Sequence, residues 1–452
     1  MENTCAEALA PTQPPWGLKQ LELLIHGGAR LEGDMKVAGS RNACLAVMAA
    51  AVMAHGETII ENAPNIGDVR VMCDILRFMG LGVRRIGSRA LAVESRHTIH
   101  PEPRYDLCAE LRPSSLLIGP LLARCGRARV AMPGDARIGQ RPLDQHIKGL
   151  RAMGADVIVE HGYIVASADR LKSSRIYLDV PSVGATENLM MAASTASGTT
   201  TIENAALEPE VVDLANVLNL MGACVRGAGT DVVRVEGAQS LRAVSYSVIP
   251  DRVEAATLLA AAMVAGGRVR VVDVIPSHLD SVVSKCVEAG AEVDFGLDWV
   301  EVRRETPLMA CNVKTLPYPG FPTDVQPMIS AVLSRAEGVS MITESVFENR
   351  FLHVDELKRM GASMRIEGRT LIVDGPSVLT AARVRATDAR SGAALLLAAL
   401  AASGQSVLAG AELINGAYEG LPAKLCSLGA SMSTRETASE TACGEDANTW
   451  AN

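Results

Sequence analysis

The stretch AMPGDARIGQRPLDQHIKGL, residues 131–150, sets Asp135, Arg137, Arg141, Asp144, His146 and Lys148 among Pro133, Gly134, Gly139 and Pro142. Proline and glycine at that density mark a loop, and loops on a rigid frame are where binding groups concentrate. Guanidinium forks match phosphate and carboxylate oxygens, so this segment suits the handling of a small polyanion. It contains no Cys or Ser that could act as a nucleophile. Other polar residues stand at comparable places: Arg41 and Asn42 in AGSRNACLA, Arg112 and Ser114 in AELRPSSLLIGPL, and Ser182 to Asn188 in PSVGATENLM. Asp324 in FPTDVQPMI and Arg390 with Ser391 in ATDARSGAALL complete the series. Each opens an apolar run that reads as a helix, and a helix start offers free N–H groups and the positive dipole end to an anion. Asn42, Thr186 or Asp324 taken alone could simply cap a helix. Their recurrence at one location of successive segments favours an anion-binding α/β enzyme.

The elements that position these residues repeat along the chain. A helical stretch ending in Met-Gly, Leu-Gly or Ala-Gly precedes a short apolar strand at Gly80, Gly154, Gly222, Gly290, Gly361 and Gly429, at intervals of 68–74 residues. Some 23–28 residues before each stands another glycine closing an Ala-rich segment: Gly56, Gly126, Gly198, Gly267, Gly338 and Gly404. Glycine after a helix supplies a left-handed cap, and the alternation in ADVIVE or ASMRIE is that of half-buried strands. NLMMAASTASG and AATLLAAAMVAGG are apolar nearly all round, which predicts buried helices. Each unit therefore reads strand, buried helix, strand, outer helix, strand. Six such units predict a closed α/β arrangement, because the period is long for a solenoid. The polar tail after about residue 434 has no pattern and is expected to be disordered over 435–452.

Length and composition bound the function. A chain of 452 residues is expected to hold two or three domains. A net charge of −8 and 3% aromatic residues argue against a nucleic-acid partner. No apolar run reaches membrane-span length, and MENTCAEALAPTQPPWG lacks the pattern of a secretory signal. The ten cysteines form no CxxC pair, so neither a zinc site nor a disulfide framework is expected, and reduced thiols suit a cytoplasmic protein. No cofactor or metal is called for.

The segments GSRNA, LRPS, IGQRPLDQH, PSVGATENLMMAA, ENAALEPEVVDLAN, PDRVEA, GFPTDVQ, TESVFENRFLHVDELKRMGA and TDARSGAAL run in order from about residue 20 to 432. Together they resemble the enolpyruvyl transferases, in particular their uridine-nucleotide branch. The resemblance implies an inverse (inside-out) α/β barrel of two domains, each of three repeats with buried helices, and a site between them. One domain would be discontinuous, residues 1–40 plus 249–434. The other would span 41–248 and carry a mobile loop at 131–145. The implied reaction protonates C3 of phosphoenolpyruvate, adds a hydroxyl at C2 and expels phosphate. Matched by motif, Arg350 and Arg390 resemble the carboxylate clamp and Arg141 a phosphate ligand. Asp324 resembles the base or orienter of the acceptor hydroxyl, and Asn42 and Arg112 match residues near the acceptor. Arg141, Pro142, Leu143, Asp144 and Gln145, with Ser182, Val183 and Gly184, match the segments that hold uracil and diphosphate.

Three positions depart from the family pattern. The family loop carries Cys or Asp where this chain has Ala136, a Lys where it has Arg41, and an Arg where it has Gly416. These touch the phosphoenolpyruvate end. Arg137 is the expected replacement cation, and Asp135 the candidate acid, against a plain turn-forming Asp. Without the thiol, fosfomycin should not label the loop. The expected acceptor is UDP-N-acetylglucosamine. The alternatives are UMP or a related nucleotide in nucleoside-antibiotic synthesis, and a non-catalytic nucleotide-binding regulator.

Overall fold

The computed structural model describes residues 20–95, 98–134, 138–139 and 142–437. Asp135, Ala136, Arg137 and Arg141, and most of the expected tail, lie outside the described residues. Among those described, five of six sheets pair a strand that follows a buried helix with an antiparallel hairpin that follows an outer helix, and in the sixth Ser431–Thr437 pairs instead with Gln20–His26. The unit from residue 175 is representative. Strand Arg175–Tyr177 leads to helix Val183–Ala193, strand Thr199–Glu203, helix Pro209–Met221, and the pair Cys224–Arg226 and Val232–Glu236. Thr199–Glu203 runs parallel to the first strand and antiparallel to the last. The repeat thus holds one strand more than the sequence reading allowed, because the residues after the outer helix turn back on themselves.

Five of the sheets carry such a parallel strand. Strand Leu31–Lys36 supplies it for the sheet built on Gly267–Val272, and Gln20–His26 completes the sheet of Gln405–Ala409 and Ser431–Thr437. That last strand corrects the expected disorder at residues 435–437. Met432 packs on the core, and Arg435 Nε donates to the buried Glu22 carboxylate at 3.1 Å. The first strand therefore holds a polar segment that has no amphipathic pattern of its own.

The apolar helices are buried as their composition requires. Every residue from Val253 to Val264 in helix Arg252–Ala265 is buried, and this helix packs with Gln326–Leu333 and Ala389–Ala401. Small residues set the spacing. A Cβ on Gly119 would stand 2.4 Å from the Asn188 carbonyl oxygen, so only glycine lets helices Ile118–Cys125 and Val183–Ala193 meet there. Apolar side chains form two clusters, one from residues 43–248 and one from 23–37 with 253–430. The chain crosses between them twice, and the crossings run side by side. Ser40 N donates to the Ile249 carbonyl at 2.7 Å and Asp251 N to that of Ala38 at 2.8 Å.

Candidate active site

Three of the residues singled out by sequence, Arg41, Asp324 and Arg390, stand at helix starts that come together here, joined by Asp251. Arg41 is the first residue of helix Arg41–Ala51, which Ser40 caps by accepting from Ala43 N at 3.3 Å. Asp251 Oδ1 caps helix Arg252–Ala265 through Val253 N and Glu254 N, while its Oδ2 accepts from Arg41 N at 3.1 Å. One carboxylate therefore pins the starts of two helices from different cores. Asp324 sits in the 3-10 turn Thr323–Val325 ahead of helix Gln326–Leu333. Arg390 is the second residue of helix Ala389–Ala401, fixed by a capping box between Asp388 and Ser391.

Arg350 and Arg390 converge on Asp324. Arg350 Nη2 donates to Oδ1 at 2.6 Å and Arg390 Nη2 to Oδ2 at 3.2 Å. Both arginines are buried, whereas Asp324 is one-quarter exposed. Burial alone would raise the Asp324 pKa. Arg350, Arg390 and then Arg41 outweigh it and hold the carboxyl well below its ordinary range. Burial likewise disfavours the Arg390 cation, but Tyr418, Asp324 and Asp251 keep it charged, with its guanidinium 4.8 Å from the centre of the Tyr418 ring. Arg390 Nη1 is buried and finds no partner among the described residues. A buried cationic donor without a partner is costly, and an anionic oxygen entering here would relieve it.

Glu344, which the sequence reading did not single out, organises this corner. It is fully buried and accepts from Thr315 and Thr323 hydroxyls and from the N–H groups of Val346 and Phe347. It thereby shapes the loop that delivers Arg350, whose Nη1 donates to Thr323 at 3.1 Å.

On the other core, Arg41 Nε donates to Asp68 at 2.5 Å, and Gly416 lies beside that carboxylate. The departures at 41 and 416 are thus neighbours: Asp68, with no side chain reaching it from 416, is met by the long fork of Arg41. Asn42 donates to Glu210 at 3.2 Å, and Arg252 pairs with the same carboxylate. Ile138 and Gly139 touch the opposite core, where Asn349 N donates to the Ile138 carbonyl at 3.1 Å.

The expected nucleotide segments form a second cluster. Gln145 is buried, accepts from Asp179 N at 2.8 Å and donates to Asp179 and Asp144, so it braces two segments together. Leu143 is buried, and Pro142 and Asp144 are exposed. Ser182 caps helix Val183–Ala193 by accepting from Ala185 N at 3.3 Å. Arg112 opens the 3-10 turn Arg112–Leu117 and acts electrostatically on His146. Among the described residues no cluster of His, Cys, Asp and Glu is placed to hold a metal ion, and no helix is long and apolar enough to cross a membrane.

Comparison with known proteins identifies the family. The EPSP synthase (3-phosphoshikimate 1-carboxyvinyltransferase) family matches residues 25–425. The chain is 48% identical over 416 residues to UDP-N-acetylglucosamine 1-carboxyvinyltransferase 1 of Symbiobacterium thermophilum, covering 91% of this chain and 94% of that protein. It is 45% identical to UDP-N-acetylglucosamine 1-carboxyvinyltransferase 2 of Clostridium acetobutylicum, covering 91% and 98%. The crystal structure of the enolpyruvyl transferase NikO from Streptomyces tendae superposes with a TM-score of 0.85 at 27% identity, over 93% of this chain and all of that one. EPSP synthase from Acinetobacter baumannii, at 19% identity and a TM-score of 0.71, shares the fold. With its repeated α/β units and its arginines gathered on one carboxylate, the chain belongs to the EPSP synthase family and is an enolpyruvyl transferase.

Proposed function

We propose that this protein transfers the enolpyruvyl group of phosphoenolpyruvate to a hydroxyl of UDP-N-acetylglucosamine, releasing phosphate, as its relatives' names describe. The observation that carries the reading is the pair of buried guanidinium groups on Asp324, with Arg390 Nη1 left unpartnered. A three-carbon carboxylate suits that fork. As it takes over donors of Arg350 and Arg390, Asp324 loses the charges that hold its pKa down and becomes basic enough to accept the acceptor's proton. The hydroxyl oxygen then bonds to C2 as C3 gains a proton. Phosphate leaves with the C2–O electron pair as C3 gives a proton back. Asp135 and Arg137 are assigned by sequence as acid and phosphate ligand, and Asn42 and Arg112 as acceptor contacts. The same proposal closes the six units into two inside-out barrels, residues 1–40 with 249–434 and residues 41–248, and places the protein in the cytoplasm. The two apolar clusters and the pairing of strand Leu31–Lys36 with Gly267–Val272 support the division into two units.

The changes at Ala136, Arg41 and Gly416 favour a second reading, in which the acceptor is another uridine nucleotide such as UMP. Phosphate release from phosphoenolpyruvate, measured side by side with UDP-N-acetylglucosamine, UMP and UDP, separates the two. Release with UDP-N-acetylglucosamine alone supports the first, and release with UMP alone the second. Release with none would leave a nucleotide-binding regulator.

A further inference from the structure

Arg390 Nη1 is the open donor of the arginine cluster, and its guanidinium needs something to hold it while that donor stays free. Against it lies Tyr418, 2% exposed and placed directly after helix Ile414–Ala417, where its N–H donates to the Ile414 carbonyl at 2.9 Å. Arg390 Cζ stands over that ring, 4.8 Å from its centre, within the reach of a cation on an aromatic face. The two elements press together, because a Cβ on Gly392 in the helix of Arg390 would be only 3.0 Å from Ile414 Cγ1. The ring is therefore a fixed support for the guanidinium.

The ring is itself anchored through its hydroxyl. Thr257 is fully buried on helix Arg252–Ala265, and its Oγ1 donates to the Val253 carbonyl at 2.7 Å. A hydroxyl has one proton to give, so the 3.0 Å contact between Thr257 Oγ1 and Tyr418 Oη is a donation from the phenol. Burial, opposed first by Arg390, raises the pKa of Tyr418, and the phenol keeps that proton. The helix of Thr257 is the one that Asp251 caps where the two cores meet. Thr257, Tyr418 and Arg390 thus form a packed series from that junction to Asp324, where Arg390 Nη2 is spent.

We propose that Tyr418, anchored by Thr257, is a positioning residue for the reaction: its ring face holds the Arg390 guanidinium and leaves Nη1 free for a carboxylate oxygen of phosphoenolpyruvate. The inference rests on the phosphoenolpyruvate reading above. An aromatic face suits the place. An acidic neighbour would take Nη1 for itself, and an aliphatic one would offer the cation no attraction. The ring attracts the charge without consuming the donor.

The test is steady-state phosphate release with UDP-N-acetylglucosamine and with UMP as acceptor, read separately as KM for phosphoenolpyruvate and as kcat. Tyr418→Leu removes the ring face and should raise KM about 10- to 30-fold, the range for a desolvated cation on a ring, while kcat stays within about threefold of the parent. Tyr418→Phe keeps the face and should bring KM back to within about threefold of the parent. Thr257→Val keeps the shape but leaves the phenol proton without its acceptor, and should raise KM about fivefold. It carries the test should Tyr418→Leu fail to fold. Parent KM in the Leu and Val variants overturns the assignment. So does a Phe variant as impaired as the Leu variant, or a loss that falls on kcat alone, since either marks a purely structural role. Arg390→Lys with the parent KM overturns the clamp itself, and a parent protein that releases no phosphate with either nucleotide overturns the proposed function. Both results are distinct from failure at Tyr418.

Discussion

Around Asp324 the structure is built from full charges: two buried guanidinium groups close on one carboxylate, and Arg41 adds its field. Around Gly184 it is built mainly from uncharged groups, a neutral imidazole and a capped helix start, with Arg112 as the cation near the ring. The difference concerns what a ligand must do on arrival. On the proposed function, an incoming carboxylate would compete at Asp324 with an anion already seated, so that binding and activation of the base would be one event. At Gly184 the helix start is met instead by the Ser182 hydroxyl and the His146 ring.

That contrast breaks most sharply at Asp324. Asp324→Ala should cut the rate of phosphate release about a thousandfold, within the span for losing a general base, while nucleotide affinity by calorimetry stays within about twofold of the parent; a rate loss under about tenfold would remove Asp324 from the chemistry. Next in size, Arg350→Lys and Arg390→Lys keep the charge but lose the fork. Each should raise KM for phosphoenolpyruvate about 10- to 100-fold, again without moving nucleotide affinity. A matching loss of nucleotide binding would mean that the two clusters are one site.

Asp251 sharpens the comparison differently, because it ties the two cores together. Asp251→Ala strips the cap from helix Arg252–Ala265 and the acceptor from Arg41 N–H. Urea denaturation should show a loss of about 2 kcal/mol. The smallest effect is expected at Asp213, which accepts from Tyr246 Oη at 2.6 Å near the second crossing. Burial raises its pKa from 3.8 to about 6. The folded state holds that proton more tightly, so the group's contribution to stability is full below pH 3.8 and is lost as pH rises through about 6. Asp213→Asn should therefore melt above the parent at pH 8, by about 1 kcal/mol in stability, and with it at pH 3.5. A variant that melts lower at pH 8 contradicts the sign.

The frame was legible because its signals are local. The glycines at 80, 154, 222, 290, 361 and 429 all have positive φ, and Ser40, Ser182 and Asp388 cap helices where the sequence places helix starts. What could not be read depends on distant partners. Asp251 reaches Arg41 across 210 positions, and strand Ser431–Thr437 is held by a strand from the other end of the chain. Glu344 looks like any strand-end carboxylate until its four donors are seen around it.

The central claim is tested most directly by proton NMR of the nucleotide after incubation with phosphoenolpyruvate and the purified protein. The account predicts a new pair of vinyl signals on UDP-N-acetylglucosamine, growing in step with inorganic phosphate and absent from Asp324→Ala. Phosphate without vinyl signals on any uridine nucleotide, or neither product from a folded protein, would contradict it.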